Sequence, residues 1–324
     1  MLTAQDLHGM MAMMPAFATP DAGDINARST IAVDDLAAGV DRIIKDGIDV
    51  ISTSGSFGEF HTLLPDEFQT LVRTTIDVVN RRVPLFIGCT ALNSREAAEK
   101  MRIARDAGAE GVLVGVPFYF PSTLDNAVRF YHDIASLYPE LAIMIYHNPA
   151  LHNVTLAVSA FKRICEKTNV VAMKDSHRTT PEFMKLMDVT KGRISVFVNT
   201  HQYHPYADLG AAGFWNYDVW MGPVPAIALR EAVARGDKAL ARQIILDIGA
   251  TNVQGGANAG LQWRETAAKL AIAEAGYCQP GPLRPPFVEI PDSVRENARK
   301  WAAHWRSLCA KYGTPAGQES LVAV

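Results

Sequence analysis

Eight short apolar runs, alternating with stretches of helical period, constrain the fold of this 324-residue chain more than any other feature. They fall at residues 13–17, 50–53, 84–89, 111–116, 142–146, 170–174, 194–198 and 213–217. Short apolar runs of this kind, Val170-Val171-Ala172-Met173 with its β-branched residues above all, read as strands buried on both faces, as happens where helices cover a parallel sheet. Helices are expected between them, at 34–45, 65–80, 94–106, 124–136 and 181–190. Gly47 and Gly108 stand where helix C-caps belong, and Asp34, Ser94 and Ser122 stand near helix starts. Eight strand–helix units are the number that closes a parallel (β/α)8 TIM barrel. A doubly wound open sheet would show the same alternation, but no glycine-rich phosphate turn follows the first strand, so the barrel is preferred.

Beyond residue 237 the strand pattern stops. Residues 238–248, 262–276 and 293–312 read as helices, separated by a glycine-rich link (Gly255-Gly256-Ala257) and a proline-rich one at 280–286. The chain therefore divides into a barrel, 1–236, and a C-terminal helical region, 237–324, with 313–324 as a loose tail. Hydrophobic residues make up 48% and charged residues 20%, which is enough apolar surface for a large core and argues against disorder. A net charge of −3 with no basic block excludes nucleic acid and anionic membrane as natural partners. No apolar run approaches the roughly 20 residues of a membrane span. The first residues lack the basic and apolar regions of a signal peptide, and Cys89, Cys165, Cys278 and Cys309 are scattered. A reduced, cytoplasmic protein is expected.

In a barrel of this kind chemistry gathers at the carboxyl ends of the strands. The sixth run, Val170-Val171-Ala172-Met173-Lys174, ends in a lysine. Such a lysine has two readings. Its stem can pack while its head reaches water, which the segment alone slightly favours. Alternatively, desolvation favours the neutral amine, which attacks carbonyl carbon to make a Schiff base. The second strand end runs into Ser54-Gly55-Ser56-Phe57-Gly58-Glu59 and the fifth into Tyr146-His147-Asn148-Pro149. Taken singly, Tyr146 is an ordinary core aromatic with a satisfied hydroxyl, and the two glycines mark an ordinary turn.

A Gly-Ser-x-Gly-Glu turn, then Tyr-x-x-Pro, then a lysine at the next strand end resembles the dihydrodipicolinate synthase/N-acetylneuraminate lyase superfamily, in spacing and in order. The resemblance covers the barrel and continues into the helical region. It implies a class I aldolase in which Lys174 forms an imine with a 2-oxo acid and Tyr146 shuttles the proton. It also implies that Ser56, with the amides of Ser56 and Phe57, holds the pyruvate carboxylate, while Glu59 braces the loop. A covalent imine on Lys174 implies no cofactor. The superfamily also implies a homotetramer.

Departures from the better-known members narrow the substrate. No second threonine stands at Phe57, and Ala150-Leu151-His152 carries no arginine, which counts against a dihydrodipicolinate synthase. Phe57, Phe118, Tyr119, Phe120, Phe214, Trp215, Tyr217 and Trp220 cluster at strand ends, which suggests a planar apolar ligand over a sugar acid. Gly88-Cys89-Thr90-Ala91-Leu92-Asn93, Gly115-Val116-Pro117, Phe214-Trp215 and Leu283-Arg284-Pro285-Pro286-Phe287 resemble the hydratase-aldolase branch. That branch cleaves trans-o-hydroxybenzylidenepyruvate or 2'-carboxybenzalpyruvate to an aromatic aldehyde and pyruvate in aromatic hydrocarbon catabolism. By this resemblance Asn148 and Trp215 position water and ring, and Tyr119 contacts substrate. Asn199-Thr200-His201-Gln202-Tyr203-His204 replaces an acidic stretch, so His201 leans the reading towards an ortho-carboxylate, unless both histidines are ordinary surface residues. His201 and His204 lack a third ligand, so no metal is expected. The alternatives are another pyruvate-dependent aldolase or synthase of the superfamily, and a non-catalytic barrel that binds a keto acid. A metal-dependent aldolase would need a His and carboxylate cluster at strand ends that the sequence does not offer.

Overall fold

The structure is a computed structural model that describes residues 1–250 and 261–313, with side chains left out at 261–264. Strands β1 (Gly9–Met13), β2 (Val50–Ser52), β3 (Leu85–Gly88), β4 (Gly111–Val114), β5 (Ala142–His147), β6 (Val170–Asp175), β7 (Ser195–Asn199) and β8 (Gly213–Asn216) pair in sequence order and close into a barrel. All eight pairings are parallel, β8 closing on β1 with Gly213 opposite Gly9. A Cβ on Gly213 would lie 2.0 Å from the Gly9 carbonyl oxygen, so the seam closes only around glycine.

The helices follow in order: α1 (Val33–Lys45), α2 (Pro65–Val79), α3 (Ser94–Asp106), α4 (Leu124–Leu137), α5 (Pro149–His152), α6 (Phe161–Ile164), α7 (Thr180–Thr190), α8 (Thr200–Ala207), α9 (Val224–Ala234), α10 (Lys238–Gly249), α11 (Leu261–Ala275) and α12 (Asp292–Gly313). Helix α1 shows why they form where they do. Leu36, Val40 and Ile43 recur at helical spacing, are buried on the barrel side, and each contributes about 1.5–3 kcal/mol by leaving water. Gly47 and Gly108 follow α1 and α3 with φ of +96° and +94°, the left-handed conformation that ends a helix at little cost. The caps of α3 and α4 are Asn93, which accepts from the amides of Arg95 and Glu96, and Thr123, which accepts from Asn126. Ser94 and Ser122 each stand one residue away from those caps.

Two expectations shift. The first strand lies at Gly9–Met13, four residues before the expected 13–17, because Pro15 has no N–H to give a ladder. Residues 14–17 form a buried connection instead, with Phe17 edge-on to Trp220 at 5.8 Å. The stretch after β7, where no helix was expected, is the start of α8. The expected glycine-rich link and the tail beyond 313 lie outside the described residues.

The C-terminal helices pack on one another and on α9, and the segment between α11 and α12 reaches the loop after β2. Among the described residues no helix is long and apolar enough to cross a membrane.

Candidate active site

Lys174 and Tyr146 stand directly opposite each other in the β5–β6 register, 4% and 3% exposed. The Lys174 amine lies 4.6 Å from the Tyr146 ring centre and 3.8 Å from that of Trp215. Trp215 sits on β8, and β7 intervenes, so the Lys174 side chain crosses the barrel interior. Among the described residues no carboxylate lies within ion-pair distance of this amine. The Tyr146 hydroxyl shares a hydrogen bond of 3.0 Å with the Ser56 hydroxyl, which comes from the far side of the ring after β2. Asn148 Nδ2 stands 3.5 Å from the same phenol oxygen. The indole N–H of Trp215 donates to the Asp175 carbonyl at 3.0 Å, which fixes the ring against β6.

The turn that delivers Ser56 is held by contacts the sequence did not expose. Ser54 and Glu59 take left-handed φ values of +46° and +51°, whereas Gly55 and Gly58 do not. Gly58 is needed for close approach, since a Cβ there would fall 2.7 Å from the Ser54 amide nitrogen. Glu59 is buried and receives two cations from the C-terminal region, Lys269 at 2.5 Å and Arg284 at 3.2 Å. Lys269 also donates to the Ala16 and Pro282 carbonyls, and Arg284 to those of Ala16, Phe17 and Thr30. Glu59 thus braces the loop, and the C-terminal helical region holds the brace.

A second buried network lies on the other side of the same strands. His147 Nδ1 donates to Asp175 Oδ1 at 2.9 Å, and its Nε2 accepts from the Leu156 amide at 3.0 Å. Desolvation lowers the His147 pKa against the pull of Asp175, which keeps the ring neutral. Arg178 Nε lies 2.9 Å from Asp175 Oδ2, and His177 Nδ1 lies 3.3 Å from Oδ1. Burial alone would raise the Asp175 pKa, but the hydrogen bonds from both histidines and the Arg178 charge hold it far below the usual carboxylate range. His147, Asp175 and His177 lie close enough to form a candidate metal cluster, but both ring nitrogens of His147 are taken and Arg178 supplies the cation.

Beside Ser56 is a cavity of about 450 Å³. Phe57, Phe60, Phe118, Leu151 and His152 line it from the barrel, and Leu283 and Phe287 line it from the C-terminal segment. His152 also packs edge-on against the Tyr146 ring at 4.8 Å, so cavity and phenol share a wall. Desolvation, then the Lys174 charge, push the His152 pKa down to about 3, leaving it uncharged at neutral pH.

Of the residues singled out in the sequence, the structure brings together Lys174, Tyr146, Ser56, Asn148 and Trp215, with Phe57 stacked on Tyr217 nearby at 4.9 Å. Tyr119 is not among them: it is 71% exposed, edge-on to an equally exposed Phe120. His201 is exposed on α8. Phe214 and Trp220 are wholly buried in the core and line no mouth. His152, Phe60, Leu283 and Phe287, which line the cavity, were not singled out as site residues in the sequence.

A closed parallel barrel with polar groups converging at its strand carboxyl ends defines a TIM-barrel enzyme. The chain belongs to the dihydrodipicolinate synthetase family, whose model matches residues 11–304. It is 32% identical over 325 residues to the trans-O-hydroxybenzylidenepyruvate hydratase-aldolase of Pseudomonas aeruginosa, covering 96% of each chain. It is 27% identical over 320 residues to the trans-2'-carboxybenzalpyruvate hydratase-aldolase of Nocardioides sp. (strain KP7), again covering 96% of each. A solved structure, PhdJ bound to substrate intermediate, superposes with a TM-score of 0.91 at 28% identity, covering 96% of this chain and 99% of that one. The chain is accordingly a carbon–carbon lyase, an aldolase of this superfamily.

Proposed function

We propose that the protein is a Schiff-base hydratase-aldolase that converts an ortho-substituted benzylidenepyruvate, 2'-carboxybenzalpyruvate or trans-o-hydroxybenzylidenepyruvate, to an aromatic aldehyde and pyruvate. The Lys174 Nζ adds to the keto carbon, and loss of water gives an iminium. That cation draws electrons through the conjugated double bond, so water adds at the benzylic carbon and a proton goes to the carbon beside the imine. Tyr146 then takes the proton of the new hydroxyl, the carbon–carbon bond breaks, and the electron pair passes into an enamine as the aldehyde leaves. Protonation of the enamine and hydrolysis release pyruvate and restore the amine. The reaction needs no cofactor, because the imine on Lys174 is the electron sink.

The observation that carries this reading is the placement of the Lys174 amine inside the barrel, between the Tyr146 and Trp215 rings, with the phenol held by Ser56. The Glu59 and Phe60 amides close the β2 loop onto the Ser56 and Gly55 carbonyls. The Ser56 and Phe57 amides are the pair that would receive the substrate carboxylate, as a tight turn can without any basic residue. Asn148, close to the phenol oxygen, is suited to orient water. The exposed Tyr119–Phe120 pair supports a surface covered by another copy in a homotetramer, which sedimentation would test.

The direct test is borohydride reduction in the presence of pyruvate, followed by peptide mass mapping. A reduced pyruvate adduct on Lys174 is expected. An intact protein with no adduct, or an adduct on another lysine, removes the mechanism.

A further inference from the structure

Two successive steps of the proposed reaction take protons from one oxygen. The water that adds to the benzylic carbon gives up one proton on addition, and its remaining proton leaves when the carbon–carbon bond breaks. Tyr146 accounts for the second transfer. The first needs another acceptor facing the same oxygen, because a proton moves only to a group within hydrogen-bond reach.

Most acceptors around the cavity beside Tyr146 are already engaged. The Ser56 hydroxyl is bonded to the phenol, and Glu59 lies in a buried pair with Lys269. Glu265 has a partner of its own, and His61 stands exposed at the edge against Phe287. His152 differs from all of these. It is 3% exposed, lines the cavity, and meets the Tyr146 ring edge-on with ring centres 4.8 Å apart. The Lys174 amine lies 4.6 Å from the same phenol ring centre, so amine, phenol ring and imidazole are consecutive neighbours. A Cβ on Gly115 would come within 2.8 Å of three imidazole atoms, so the glycine makes room for this ring. One ring nitrogen is engaged by the Tyr146 backbone, and the other has no partner among the described residues. A neutral imidazole keeps one nitrogen as an acceptor.

Desolvation first, and the Lys174 charge second, keep this imidazole unprotonated before reaction. The second cause disappears as water adds, because the iminium charge is discharged into a neutral enamine. The ring therefore becomes a stronger base at the moment a proton is released.

We propose that His152 is a second catalytic base, which takes the proton of the water that adds to the double bond and leaves Tyr146 to serve the cleavage. This role rests on the hydratase-aldolase reading and deepens it. The water oxygen bonds to the benzylic carbon as one of its protons passes to His152. The π pair of the carbon–carbon double bond shifts towards the imine carbon, and the iminium π pair becomes a lone pair on nitrogen. The imidazolium then gives its proton to the carbon beside the imine carbon, which restores the iminium and the neutral ring. Hydration is thereby balanced without an outside acid.

The test separates the two halves of the reaction by substrate. The full-length wild type and His152→Leu receive either the arylidene pyruvate, which must first take up water, or the matching aldol, which enters after that step. Single-turnover loss of the conjugated absorbance reads hydration alone, and aldehyde release from the aldol reads cleavage alone. In His152→Leu the ratio of hydration to cleavage should fall at least about 10²-fold, the lower end of what a positioned base contributes. A ratio within about threefold of wild type, whether both rates hold or both fall, overturns the inference. Borohydride trapping of pyruvate on Lys174 shows that the variant site is assembled. His152→Ala with added imidazoles gives a second reading. Hydration should recover in proportion to the basicity of the imidazole supplied; recovery that ignores basicity marks a ring that only fills space and overturns the base role. A wild type that traps pyruvate but leaves the arylidene compound unhydrated would instead sink the hydratase-aldolase reading itself, so the two failures are told apart.

Discussion

Two residue pairs stand one position apart on the same two strands and do opposite things. Tyr146 and Lys174 face each other across β5 and β6, and the next rung is His147 and Asp175. Side chains alternate along a strand, so the first pair points into the barrel and the second points away from it. The inward amine is flanked by two rings and has no carboxylate partner among the described residues, whereas the outward carboxylate meets His147, His177 and Arg178. One rung is left reactive and the other is saturated. A slip of one residue would exchange them, so the register of this strand pair matters as much as the identity of the residues.

The sharpest way to break the comparison is to remove the reactive member. Lys174→Ala should abolish aldehyde release by a factor of about 10⁴ or more, because the covalent route is lost, while thermal unfolding stays close to wild type. Substantial residual turnover would show that the inward rung is not the reactive one. Removing the saturated member should do the reverse. Asp175→Ala leaves Arg178 buried without its counter-ion and should cost about 3–5 kcal/mol of stability in urea titration, with pyruvate still trapped on Lys174. The same carboxylate gives the wild type an acid dependence. Its folded pKa lies below the ordinary value of 3.8, so its contribution is fully present above the unfolded pKa. It is lost as pH falls through the folded one. Unfolding midpoints measured from pH 6 downward should therefore fall more steeply in the wild type than in Asp175→Ala.

Much of this was legible in the chain. Short apolar runs set the buried strands, and their number set the barrel; Lys174, Tyr146 and the serine turn were readable because motif order places them at the ends of the sixth, fifth and second strands. What escaped depends on contacts between distant residues. Pro15 moved β1 upstream, since a missing N–H outweighs the apolar character of residues 13–17. Glu59 was readable as a brace, but its partners Lys269 and Arg284 lie 210 and 225 residues away, and no local pattern links them. Aromatic density could not separate Trp220, which donates to the Met13 carbonyl from the core, from Trp215, which lies against the Lys174 amine. Both are tryptophans near the end of β8, and only the closed barrel decides which of them faces inward.

Within the reactive rung, Tyr146→Phe should lower kcat about 10²- to 10³-fold, as loss of a proton shuttle does, with KM little changed and imine trapping retained. A matching rise in KM would make the phenol a binding group instead.

The smallest expected effect lies at the third member of the inward group. Trp215 presents its ring face to the Lys174 amine at 3.8 Å and donates its indole N–H to the Asp175 carbonyl, so it ties the reactive rung to the strand that also carries the saturated one. Trp215→Phe keeps an aromatic face but loses that hydrogen bond and part of the cation–ring attraction. The two together contribute about 1–2 kcal/mol, which corresponds to a roughly five- to thirtyfold loss in kcat/KM. If Trp215 only fills space, the loss should appear in urea stability and leave kcat/KM within twofold. If it orients the amine, single-turnover imine formation should slow by the same factor as kcat/KM while stability changes little, and the two rungs would then be coupled through one indole.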